Sequence, residues 1–92
     1  MKEEEKIKED LKNEGFNKIY IMRDKPNTRY GLHEHTYISA IVVLEGDIMF
    51  AIDKKDVELK PGDRLNIDIN EEHSTVVGSK GCKYIVAEKK KK

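Results

Sequence analysis

The sequence predicts an all-β domain, an antiparallel sandwich or closed barrel, led in by one short helix. Three observations carry that prediction. From Phe16 onward apolar residues recur in short runs with a period near two, not 3.6. Turn chemistry interrupts those runs about every six to ten residues, as at Lys60-Pro61-Gly62-Asp63. A chain of 92 residues also has room for only one compact core, burying roughly 60 to 65% of its extended surface, so seven or so short strands must share it.

Residues 2–14 are good helix formers, with Ile7 and Leu11 four apart on one side and Gly15 placed for a left-handed cap. Two apolar anchors make a narrow stripe, so the expectation is a charged helix packing lightly on the body rather than a partner-binding helix. "FNKIYIM" is the first strand, and "YGLHEH" leads into "YISAIVVLE". A turn at Glu45-Gly46-Asp47 precedes "DIMFAID"; "DKKD" turns into "VELK"; "KPGD" is a second tight turn; and "RLNIDI", "HSTVV" and "CKYIVAE" complete the series. In "RLNIDI" the alternation sends Leu65, Ile67 and Ile69 to one face and Arg64, Asn66 and Asp68 to the other. "AIVVLE" is apolar at nearly every position, which implies that both of its faces are covered or that it lies centrally. The organisation expected is a helix over 1–15, a β body over 16–88 and a solvated basic tail over 89–92.

Composition excludes several classes. Eighteen acidic and eighteen basic side chains give a net charge of zero, so no global field recommends nucleic acid or an anionic membrane as a partner. No helix-turn-helix pattern accompanies the strands. No apolar run approaches the roughly 20 residues of a membrane span, and "MKEEEKIKED" lacks the apolar centre of a signal peptide, so a cytoplasmic protein is expected. The single cysteine, Cys82, forbids an internal disulfide and, in "GCKYIVAE", reads as an inert buried thiol. Charged residues make up 39% of the chain and glutamine is absent, a composition of heat-adapted proteins.

The chemistry-bearing residues are the three histidines. His33 and His35 are two apart, so an extended segment projects them from one face with Glu34 on the other. The same period carries Tyr37, Ser39, Ile41 and Val43 onto the histidine face, which therefore looks inward. Imidazoles on an inner wall are costly unless their nitrogens are bound, and a divalent cation binds them well.

Two motifs resemble the cupin family. "HEHTYISAIVVLEG" reproduces its His-x-His and places Gly46 at the family's spacing; "GDRLNIDINEEH" keeps the interval from Gly62 to His73, with Asp68 and Asn70 in place of a proline and a glycine. "VVLEGD" and "LKPGDRL" also look like the hairpin and turn of small single-domain cupins. The resemblance spans about residues 16–88. It implies a jelly-roll β-barrel with His33, His35 and His73 meeting inside one end as ligands of a divalent transition metal: zinc, iron, nickel, copper or cobalt. It also implies a homodimer formed through a barrel edge. One departure is plain: the family's glutamate ligand is replaced by Ser39, a poor ligand at neutral pH. Glu34 points away, and the loop residues Glu71 and Glu72 are not required by the spacing.

Tyr37, Ser39 and Thr75 share the inner face and are the candidate small-molecule contacts. The reading is a metal-dependent binder or sensor. The alternatives are a three-histidine metalloenzyme, such as a thiol dioxygenase or an isomerase, and a metal-free module. Whether there is turnover is left open.

Overall fold

The computed structural model describes residues 2–90; the last two residues of the expected tail lie outside them. Helix α1 runs over Lys2–Asn13. It ends as a Schellman motif: Gly15 adopts φ 100°, its N–H donates to the Lys12 carbonyl, and the Phe16 N–H reaches back to that of Leu11. That closure presses Phe16 against Leu11, and both are buried with Ala40, Val42, Ile85 and Ala87. The packing is therefore not light. Leu11 is among the largest fully buried side chains, which contributes roughly 2 kcal/mol or more. The residues left over by the inner face of "AIVVLE" are covered by this helix, which is why that segment is apolar on both sides.

Among the described residues six strands follow: β1 (Lys18–Asp24), β2 (Arg29–His33), β3 (Ile38–Ile52), β4 (Lys55–Leu59), β5 (Arg64–Ile67) and β6 (His73–Lys89). All of their pairings are antiparallel. The order is β1-β6-β3-β4, with β2 also on β6 and β5 also on β3. The ladder does not close on itself, so of the two expected architectures the sandwich form of the jelly roll is the one observed.

Two expected strand breaks do not occur. Glu45-Gly46-Asp47 is not a turn but a bend inside β3, with register shifts on either side of it. "HSTVV" and "CKYIVAE" are likewise one strand, β6. The two long strands bend together, Gly46 opposite Cys82, and each serves two layers. One layer joins β1, the second half of β6, the first half of β3 and β5. The other joins β2, the first half of β6, the second half of β3 and β4.

The inner core lies between these layers and includes Ile41, Val43, Ile48, Phe50, Ile67, Val77 and Tyr84. The bulged bend switches the inward set on β3 from odd positions to even ones. The turn at Pro61-Gly62 forms as expected: Gly62 has φ 94°, and the Asp63 N–H donates to the Lys60 carbonyl at 2.8 Å. Between β3 and β4 the chain reverses on Asp53 and Lys54, both at positive φ, the backbone of a two-residue hairpin. Lys89, expected to begin the tail, is the last residue of β6 and pairs with Ile38.

Candidate metal centre

The ladder itself brings distant histidines together. His33 ends β2 and His73 begins β6, and the two are direct register partners. A regular continuation from the Tyr30–Thr75 pair would put Leu32 opposite residue 73. One extra residue is accommodated between Tyr30 and His33, so a bulge swaps the faces. Leu32 is turned outward, 67% exposed, and His33 is turned in. His35 lies just beyond the strand, and its carbonyl accepts the Asn70 N–H at 2.7 Å, tying it to the loop that delivers His73.

The ring centroids are 4.9 Å apart for His33–His35, 4.3 Å for His33–His73 and 5.2 Å for His35–His73. One nitrogen from each ring lies within 4.8 Å of the others. Tetrahedral ligation with metal–nitrogen bonds of about 2.1 Å puts ligand nitrogens about 3.4 Å apart, so side-chain shifts on the order of an ångström bring the three onto a common coordination point. His73 is 2% exposed.

Tautomers are fixed at two of the three rings. His33 Nδ1 lies 2.6 Å from the Gly31 carbonyl and His73 Nδ1 lies 2.9 Å from that of Glu71. A carbonyl only accepts, so each Nδ1 carries the proton and donates it, and each Nε2 keeps its lone pair for a cation. His35 stacks on Tyr37 at 4.7 Å. Burial, then the neighbouring His73 and His33 rings, hold its pKa below the ordinary histidine value, with Glu88 acting weakly the other way. Three converging imidazoles are the donor set that a borderline divalent metal takes.

Beside the imidazoles is a cavity of about 180 Å³. Tyr37, Ser39 and Thr75 line it, together with Ile41, Phe50, Tyr84 and Val86. Glu34 is exposed, and the Glu71 carboxylate is occupied by the Asp68 N–H at 3.0 Å.

Among the lining residues that the sequence reading missed are Glu88 and Tyr20. The signal was present: Tyr84, Val86 and Glu88 share the inward face of β6, so a carboxylate closes an apolar alternation. Placing it next to the expected tail concealed it. Burial first, and then the Glu88 carboxylate, raise the pKa values of Tyr20 and Tyr37 above that of an ordinary phenol, so both are hydroxyl donors at neutral pH. Cys82 stands apart from the cavity. Burial first, then Asp24 and Asp47, push its thiol up to about 11, so it stays protonated and inert.

The family model described as "Cupin domain" matches residues 20–88, three quarters of the chain. The chain belongs to the cupin family. No curated protein matches this cupin by sequence. Among solved structures it is similar to a cupin-2 domain protein from Shewanella frigidimarina, at 19% identity and a TM-score of 0.66 over 79% of this chain and 69% of that one. It is also similar to KdgF from Halomonas sp., at 15% identity and a TM-score of 0.73 over 80% and 68%. The DMSP lyase DddQ from Ruegeria pomeroyi is similar at 19% identity with a TM-score of 0.71, but this cupin spans only 36% of that chain. At these identities the likeness is one of fold. No helix among the described residues is long and apolar enough to cross a membrane.

Proposed function

We propose that this cupin binds a divalent transition metal through His33, His35 and His73 and holds a small molecule in the adjoining cavity, acting as a binder or sensor. The observation that carries the reading is the convergence of three imidazoles, two of them tied through Nδ1 to backbone carbonyls, at one wall of a cavity of about 180 Å³. A bound ion would supply Lewis acidity toward an oxygen or nitrogen donor of the ligand. The chain's own residues do the rest. Phe50, Ile41 and Val86 exclude water, while Tyr37, Ser39 and Thr75 offer hydroxyls that orient the ligand. The test is elemental analysis of protein prepared without an affinity tag and incubated with zinc or cobalt. About one ion per chain is expected, and a content near zero overturns the reading.

A homodimer belongs to the same proposal. Leu32, Met49 and Val76 are exposed. Met49 and Val76 are cross-strand partners on the outer face of their layer, and Leu32 adjoins Ala51 and Ser74 on the same face. Contiguous apolar residues on a small domain are the surface that a second copy would cover beside the β2 edge. Sedimentation velocity is expected to give a dimer that Met49→Lys combined with Val76→Lys converts to monomer. A wild type that sediments as a monomer at high micromolar concentration refutes it.

A further inference from the structure

The cavity has a second polar wall. Glu88 is 9% exposed and sits on β6 between Lys18 of β1 and Ser39 of β3, its partner on either side in the sheet. Its Oε2 accepts the Tyr20 hydroxyl at 2.8 Å, and its Oε1 lies 3.8 Å from the ammonium of the largely exposed Lys18. Glu88 is not among the three residues whose donor atoms lie within mutual reach of one ion. It therefore faces the same space as the imidazoles without belonging to their cluster.

The position has a reason. Ser39 stands where a glutamate would be expected from the motif, and cross-strand partners have Cβ atoms about 5 Å apart. A glutamate at 39 would set a like charge directly beside Glu88, which is unfavourable, whereas a serine leaves the space to it. The acidic group of this pocket stands one strand over from residue 39, and its carboxylate accepts a phenol hydroxyl.

Resting on the metal-site reading above, we infer that Glu88, positioned by Tyr20, is a specificity-determining residue that accepts a hydrogen bond from the ligand. The ligand class is a small molecule with a metal-binding donor at one end and a hydroxyl or ammonium donor at the other. A dicarboxylate of the same size brings a second negative charge to the Glu88 wall and is disfavoured. The size of the cavity, about 180 Å³, restricts the class to molecules smaller than those that fill ordinary ligand pockets of roughly 300 Å³ and above.

The probes are 2-aminoethanol and malonate, titrated by NMR chemical-shift perturbation into zinc-loaded and metal-free protein, wild type against Glu88→Gln. Glu88→Gln keeps the side-chain shape and is expected to retain zinc at one ion per chain. The affinity ratio of 2-aminoethanol over malonate is expected to fall about tenfold or more in both forms, the scale of losing a charge-assisted hydrogen bond. Tyr20→Phe, which removes the hydroxyl that positions the carboxylate and leaves the carboxylate itself, is expected to lower the ratio by a smaller factor with zinc content unchanged. An unchanged ratio in Glu88→Gln overturns the inference and leaves the metal site standing. Loss of zinc in Glu88→Gln also overturns it, by making Glu88 a ligand. If the wild type takes up no zinc, the metal-site reading fails, and the ratio in the metal-free protein still decides the role of Glu88.

Discussion

His73→Ala is expected to lower the affinity for zinc or cobalt by at least about 100-fold while the sheet still folds. Removing even an outer partner of a metal ligand costs about 10 to 100-fold, and this substitution removes a ligand. His73 is also the hardest of the three to replace by rearrangement. It is buried, its Nδ1–H is held by the Glu71 carbonyl, and its ring lies within 5.2 Å of both other imidazoles. The two remaining histidines come from one short segment and offer a cation two donors in place of three.

Thermal unfolding gives an independent reading, because an ion that binds only the native state at 100 times its Kd adds about 2.7 kcal/mol. For a domain of this size that is a rise in Tm of about 10 °C or more. The wild type is expected to show that rise on adding zinc, and His73→Ala is expected to show almost none. A variant that keeps the zinc content and the zinc-induced rise of the wild type would mean that residue 73 holds no metal.

How far this site can be read from the sequence depends on which kind of geometry sets each part. From His33 to Ile41 alternation suffices, because the odd positions 33, 35, 37, 39 and 41 all line the cavity. Alternation fails one step upstream. Tyr30 is an even position and lines the same cavity, and only the bulge in β2 makes that possible. A bulge has no residue signature strong enough to read in "RYGLH". Glu45-Gly46-Asp47 fails for a related reason: a glycine between two acidic residues has the composition of a turn, and only the pairing of β3 with β6 on both sides of it shows a continuous strand. The helix is the opposite case. Its ends are legible from propensity and from Gly15, while the depth of Leu11 depends on what lies beneath it.

The bend at Gly46 is where the fold is least replaceable, and Gly46→Ala is expected to cost more than about 4 kcal/mol, the range reserved for severe defects. Two terms add. Residue 46 has φ 77°, where any Cβ costs about 1 to 2 kcal/mol. A Cβ there would also run into the Gly81 carbonyl oxygen and approach the Cys82 Cα at 3.1 Å, both of them backbone. Gly81 and Cys82 are themselves held in the paired strand β6, with Gly46 opposite Cys82 in the register, so relief requires a shift of both long strands.

Gly62→Ala separates the two terms. Gly62 has φ 94° but open space around it, so that variant is expected to lose only the conformational 1 to 2 kcal/mol. Urea unfolding of the two variants measures the difference directly. A domain of this length has a total stability of roughly 5 to 14 kcal/mol, so the Gly46 variant forfeits a large share of it. The cavity suffers with it, because Ser39 and Ile41 come from before the bend in β3 and Phe50 from after it, while His73 and Glu88 stand at opposite ends of β6. If Gly46→Ala costs no more than Gly62→Ala, close backbone approach does not hold the two long strands in their shared bend, and the folding-over that joins the imidazoles to the Glu88 wall must come from elsewhere.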